Sequence, residues 1–89
     1  MLTLPSVLTQ AQARACLSSQ LGALRAEAGD EVQVDASQLG QFDSSALAVL
    51  LEFRRETLAM GKRFVVKGLP ARLQNLASLY GVAELIAPA

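Results

Sequence analysis

The stretch from Val34 to Leu51, VDASQLGQFDSSALAVLL, decides the fold of this chain. Apolar residues at 32, 34 and 36 alternate with polar ones, which predicts a strand. Good helix formers from Ala46 to Met60 predict a helix. A loop over 38–42 separates the two, and Asp43–Ser45 precedes the helix, where side-chain oxygens accept backbone N–H groups that lack a helical partner. The stretch therefore predicts a strand, a loop and a capped helix.

Further strands and helices are predicted on both sides of this stretch. Leu2–Leu8 predicts one strand that lies at the edge of a sheet or contains a bulge, because Pro5 cannot donate a hydrogen bond to a ladder. The other predicted elements are a helix over Gln10–Ala28 with Thr9 as its N-cap, a strand over Arg63–Lys67, a helix over Pro70–Tyr80 closed by Gly81, and a short strand or extended tail over Val82–Ile86. This alternation predicts an α/β fold with parallel strands joined by right-handed crossovers.

Helical periodicity predicts which faces of the two later helices are buried. Four leucines of the second helix are expected in the core: Leu47, Leu50, Leu51 and Leu58. The last helix is expected to face the sheet with the apolar set Leu73, Leu76, Ala77 and Tyr80. Among these, Tyr80 is the residue expected to be partly exposed, because its hydroxyl requires water or a hydrogen-bond partner.

Composition excludes several classes of function. The 89 residues predict a single domain, 1–89, and the eight basic residues balance the eight acidic ones, which argues against a nucleic-acid partner. With one cysteine and no histidine, an internal disulfide and a zinc site are excluded, and Cys16 is expected to be a small buried hydrophobe. Met1–Thr9 lacks the pattern of a secretory signal, and the longest apolar stretch, Ala46–Leu51, is too short to span a bilayer, so we expect a soluble cytoplasmic chain.

Two short motifs resemble those of the STAS family, which includes bacterial anti-sigma factor antagonists and MlaB-type subunits of lipid-transport ABC systems. Val34–Ser37 is similar to the family's "V-D-x-S" strand end, and Phe42–Leu47 is similar to its "x-x-D-S/T-x-x-L" helix start. The resemblance implies a STAS-like, mixed or mostly parallel sheet covered by helices. STAS domains usually begin with a hairpin of two strands. Leu2–Leu8 resembles the second of these, so the first family strand is expected to be missing.

The end of the last helix favours one branch of this family. Leu73–Val82, LQNLASLYGV, resembles the "L-x-x-L-A-x-L-Y-x-V/L" close of MlaB-type proteins. That resemblance implies a cytoplasmic subunit that binds and regulates or stabilises the ATPase of an ABC-type phospholipid transporter, in the maintenance of outer-membrane lipid asymmetry. It also implies membrane association only through the complex, at the inner membrane, with no cofactor and no small-molecule substrate.

The resemblance places the partner-binding surface at the start of the second helix. Ser44 matches the serine or threonine that is phosphorylated in the sigma-factor antagonists, so it is expected to contact the partner or to be phosphorylated. The other expected contact residues are Asp43, Ser45, Ala48, Glu52, Arg55 and Tyr80. Plain helix capping remains an alternative for Asp43 and Ser44, a solvated helix face for Ala48, and core packing for the last helix.

The sequence also bears on two other functions. The alternative within the family is an anti-sigma factor antagonist switched by phosphorylation at Ser44. Catalysis is not expected, because Ser44 has no histidine anywhere in the chain to act as its base, and nothing in the spacing supports Lys62 or Lys67 in that role. The chain also lacks a Gly-x-x-x-x-Gly-Lys phosphate loop, so it is not itself the expected ATPase.

Overall fold

The structure is a computed structural model that describes residues 1–86. Residues 87–89, the last three of the predicted domain, lie outside the described part. The elements in chain order are β1 (Leu2–Thr3), β2 (Val7–Leu8), α1 (Gln10–Arg25), β3 (Glu31–Asp35), β4 (Gln41–Phe42), α2 (Ser44–Ala59), β5 (Arg63–Lys67), α3 (Ala71–Leu79) and a 3-10 helix over Ala83–Ile86.

Every strand pair in the described residues is parallel, which confirms the predicted α/β class. One sheet has the order β1-β3-β5, with Leu2 opposite Val34 and Val34 opposite Val66. A smaller sheet pairs β2 with β4 and places Leu8 opposite Phe42. In the larger sheet the strands lie side by side in the order in which they follow along the chain. Right-handed crossovers therefore place α1 and α2 on the same face of this sheet. The two helices pack against each other there.

The N-terminal segment corrects the prediction of one strand over Leu2–Leu8. It forms two short strands that belong to different sheets, because Pro5 and Ser6 interrupt the ladder between them. The Ser6 carbonyl accepts the N–H groups of Gly40 at 2.9 Å and Gln41 at 3.0 Å. These hydrogen bonds draw residues 40–42 beside β2, so part of the predicted loop 38–42 becomes β4.

The C-terminal end also differs from the prediction of a strand or extended tail. Gly81 adopts a positive φ of 73°, which turns the chain back toward the core. Ala83–Ile86 then forms the 3-10 helix and buries Ile86, which is 1 % exposed. The turn therefore adds a side chain to the core where a strand would have extended the sheet.

The core lies between the larger sheet and the helices. Its fully buried large side chains include Leu4, Leu8, Leu24, Val32, Val34, Val49, Leu50, Phe53, Val66, Leu73 and Ile86. The prediction that Leu58 belongs to this core is wrong, because 48 % of Leu58 is exposed. Its neighbour Thr57 is buried in its place, and the Thr57 hydroxyl donates to the Phe53 carbonyl at 2.7 Å. Successive helical residues differ by about 100° around the axis, so only one of the two faces the sheet.

A close approach between two loops fixes the ends of β3 and β5 relative to each other. A Cβ added at Gly68 would lie 2.7 Å from the Ser37 Cβ, and Gly68 has a φ of 69°. Both conditions favour glycine. The Ala36 N–H also donates to the Lys67 carbonyl at 2.8 Å, which extends the pairing beyond β3. The loop that leads from β3 to α2 therefore leaves the sheet at a defined point.

The helices were compared in length and hydropathy with what a membrane-spanning helix requires. None of the helices described over residues 1–86 combines the length and the apolar character needed to cross a bilayer.

Candidate functional site

One carboxylate organises the start of α2. Asp43 is the N-cap of this helix, and its Oδ1 accepts the Ser45 backbone N–H at 2.8 Å. Its Oδ2 accepts the Gln10 backbone N–H at 3.1 Å, at the first residue of α1. Asp43 therefore caps α2 and also accepts the first N–H of α1, whose own N-cap is Thr9.

These hydrogen bonds explain the electrostatics of Asp43. The Ser45 backbone N–H, followed by that of Gln10, lowers the pKa of the Asp43 carboxyl below its usual value. Donors aimed at the ionised form favour it over the protonated one. The start of α2 thus carries a negative charge at neutral pH, and both carboxylate oxygens are already engaged by backbone donors.

The helix begins slightly earlier than the sequence pattern indicates. Asp43 has an extended backbone, with φ −129° and ψ −165°, and Ser44 is the first helical residue, ahead of the predicted start at Ala46. Serine is accepted in a first turn because the N–H groups there have no partner within the helix. Ser44 is exposed and Ser45 is half-buried. Capping is therefore confirmed for Asp43, whereas Ser44 lies within the first turn of the helix and its side chain faces solvent.

The exposed side of α2 continues from this start. Ala48 is exposed one turn along, Glu52 is half-buried another turn along, and Arg55 is exposed beyond it. The Arg55 Nη2 and Glu52 Oε1 atoms lie 2.6 Å apart in an ion pair, and the Glu52 carboxylate raises the pKa of Arg55. We call Asp43, Ser44, Ser45 and Ala48 the α2 tip. Its side chains are small, and the larger charged pair borders it.

Tyr80 lies away from the α2 tip. It is the C-cap of α3 and is 56 % exposed, which agrees with the predicted partial exposure but not with the predicted packing against the sheet. The start of α3 is the end near the tip, because Arg72 stacks there on Phe42. Tyr80 is eight residues further, about 12 Å along the helix axis. Any contact made by Tyr80 therefore belongs to a different part of the surface.

Arg72 is a neighbour of the tip that sequence patterns do not reveal. Its guanidinium carbon lies 5.1 Å from the centroid of the Phe42 ring, within the range of a cation–π contact. Phe42 directly precedes Asp43, so this contact brings the first turn of α3 beside the tip. The two residues are thirty positions apart in sequence, and no local pattern links them.

A shallow groove lies elsewhere, between α1 and the N-terminal segment. Its volume is ≈ 520 Å³. The lining residues are all uncharged: Thr3, Leu4, Pro5, Val7, Gln12, Ala15, Cys16, Ser19, Gln20 and Gln38. Cys16 is buried as predicted, and burial raises the pKa of its thiol, which keeps it protonated. The groove therefore holds no activated nucleophile.

Metal chemistry has no support in the part of the chain that the structure covers. Among residues 1–86, no group of three or more His, Cys, Asp or Glu side chains is arranged to hold a metal ion. The α2 tip offers one carboxylate with both oxygens occupied and two hydroxyls.

The parallel sheets and three helices are consistent with a STAS-like fold, a class that is generally non-catalytic. A family model described as "Mlab, STAS domain" matches residues 1–87. The chain therefore belongs to the MlaB-type STAS family. A search of curated proteins found no match.

Proposed function

We propose that this chain is a non-catalytic cytoplasmic subunit that binds the ATPase of an ABC-type phospholipid transporter and regulates or stabilises it. Its association with the inner membrane is then indirect, through that complex, and the transporter maintains outer-membrane lipid asymmetry. The observation that carries the proposal is the solvent-facing, Asp43-capped start of α2 in a chain of the MlaB type.

The small side chains of the tip favour a close protein contact. Ser44 and Ala48 are exposed and lie on one side of α2, four residues apart. Both side chains are short and have few rotamers to lose when a partner covers them, so the entropic cost of docking is low. The nearest large charges, Glu52 and Arg55, are already paired with each other.

The tip is also held in place before binding. Asp43 connects the backbone at the start of α1 to that of α2, and Phe42 is paired with Leu8 in the smaller sheet. A surface fixed in this way loses little freedom on association, which favours affinity.

The lack of catalysis in this proposal rests on the side chains available to Ser44. The chain has no histidine, and the Asp43 carboxylate beside Ser44 is occupied by two backbone donors. A serine nucleophile requires a base within hydrogen-bond reach, which this arrangement does not provide.

The test is capture of the partner from the native cell, with variants of one exposed serine. Tagged wild-type chain is expected to recover an ABC-transporter ATPase, and Ser44→Trp is expected to lose it because the indole blocks close approach at the tip. Ser18→Trp is the matched control, since Ser18 is exposed in the middle of α1. Loss of the ATPase from both tryptophan variants, or its absence from the wild-type capture, contradicts the proposal.

A second candidate function is an anti-sigma factor antagonist switched by phosphorylation of Ser44. The exposure of Ser44 at the first position of α2 favours it, because a kinase can reach that hydroxyl and a phosphate adds about −1.5 to −2 charges at a helix N-terminus. A Ser44→Asp variant distinguishes the two functions. Release of a sigma factor's inhibitor with unchanged lipid transport supports the antagonist.

A further inference from the structure

We propose that Arg72 is a specificity-determining residue of the docking surface and that it pairs with a carboxylate of the partner ATPase. This inference rests on the proposed function and extends it, because it assigns an acidic chemistry to the part of the partner that lies beside the α2 tip. Arg72 acts by contact with the partner and takes no part in chemistry.

The first support is the position of the guanidinium group. It lies 5.1 Å from the centroid of Phe42, whose backbone leads directly into the Asp43 cap. Phe42 is half-buried and packs against the core, so the ring is a fixed platform. Stacking on a fixed ring limits the conformations of a long side chain, and less freedom is lost when it forms an ion pair.

The second support is that the positive charge of Arg72 has no ion-pair partner within residues 1–86. Arg72 is exposed, and within residues 1–86 it makes no ion pair, whereas Arg25, Arg55 and Arg63 each meet a carboxylate. Arg14 and Arg54 share the lack of an ion pair in this part of the chain. Arg72 differs from these two because it is stacked on an aromatic ring beside the tip.

The third support is the electrostatic character of this edge of the molecule. Asp43 joins the N-termini of α1 and α2, and Arg72 in the first turn of α3 lies over Phe42, so the three helix N-termini lie close together. Each N-terminus carries a partial positive charge. The first turns of α1, α2 and α3 contain no acidic residue. Asp43 keeps its negative charge, and both of its oxygens are engaged by backbone N–H groups. The full positive charge on this edge is therefore local to Arg72, and a single carboxylate of the partner placed at Arg72 complements it.

The experiment measures binding of the captured ATPase to purified chain variants at several salt concentrations. Arg72→Glu is expected to weaken binding at least tenfold, and Arg72→Ala about fivefold with a shallower dependence on salt. Arg72→Lys retains the charge but loses the planar fork, and an intermediate affinity is expected. Arg63→Glu is the control for net charge, because Arg63 is exposed at the opposite ends of the strands. This change also breaks the Arg63–Glu31 ion pair, so its fold is checked first, and its affinity for the ATPase is expected to stay within twofold of wild type.

The outcomes separate this inference from the proposed function. If Ser44→Trp abolishes ATPase binding while Arg72→Glu binds like wild type, the docking site stands and the role of Arg72 is refuted. If Arg72→Glu and Arg63→Glu weaken binding equally, the effect is one of net charge and the inference also fails. Failure to recover any ATPase overturns both proposals. Circular dichroism of each variant verifies that its fold is intact, as expected for substitutions of exposed side chains.

Discussion

The carboxylate of Asp43 accepts the backbone N–H of Gln10, thirty-three residues earlier in the chain, while it also caps its own helix. Each helix start leaves N–H groups without partners, and here one side chain serves two starts. The consequence is that α1 and α2 are joined at the edge where the candidate docking surface lies. Several measurable properties follow from this and from other contacts.

Removal of the Asp43 carboxylate is expected to lower the melting temperature. Asp43→Ala removes the N-cap of α2 and the acceptor of the Gln10 N–H at the start of α1, whereas Asp43→Asn keeps one oxygen. Alanine is therefore expected to be the more destabilising change. Thermal unfolding followed by circular dichroism measures both. Asp30→Ala is the control, since Asp30 is exposed in the turn before β3 and is expected to change little. Equal melting temperatures for the three variants would contradict a stabilising role for the two hydrogen bonds that Asp43 accepts.

The stability of the chain is expected to fall in acid. The Ser37 side chain and backbone N–H lower the pKa of Asp35, and the Ser45 and Gln10 N–H groups lower that of Asp43. Because the folded pKa lies below the unfolded one, the stability from each group is present above the ordinary aspartate pKa of about 3.9 and is lost as pH falls through the folded pKa. Urea unfolding from pH 7 downward measures this. The unfolding free energy of Asp43→Asn is expected to fall less steeply with decreasing pH than that of wild type. The difference in unfolding free energy between the two proteins is therefore expected to become smaller in acid.

Two positions on α2, Phe53 and Leu58, test the placement of the core. Phe53→Ala is expected to cost about 3–5 kcal/mol of unfolding free energy, because the ring is fully buried and leaves a cavity. Leu58→Ala is expected to change it by less than about 0.5 kcal/mol, since nearly half of Leu58 faces solvent. Urea unfolding compares the two variants. A large loss for Leu58→Ala would place that residue in the core, as helical periodicity alone indicates.

Two glycines are expected to respond in opposite directions to alanine. Gly68→Ala is expected to destabilise the chain, because the new Cβ would lie 2.7 Å from that of Ser37 and the backbone φ is 69°. Gly22→Ala is expected to stabilise it by about 0.5–1 kcal/mol, because Gly22 is inside α1 with nothing within 4 Å of an added Cβ. Melting temperatures of the two variants test this. A rise for Gly68→Ala would show that the loop before α2 is not held by this approach.

Features that depend on neighbours along the chain were predictable from the sequence. Thr9 and Asp43 were expected to cap helices because serine, threonine and aspartate oxygens reach the N–H groups of the next turn, and both residues are N-caps in the structure. The alternation of apolar residues located β3, and the run Arg63–Lys67 located β5. The motifs at Val34–Ser37 and Phe42–Leu47 were sufficient to indicate the family that the match over residues 1–87 shows.

The sequence by itself determined the class of the fold, the caps and the family, because these depend on spacing within a few residues. The tertiary structure alone decided that Ser6 pulls residues 40–42 into a second sheet, that Arg72 stands over Phe42, and that Tyr80 lies at the far end of its helix from the α2 tip. Each of these depends on contacts between segments far apart in the chain. Such contacts are selected by the packing of the whole core, and local propensity does not encode them.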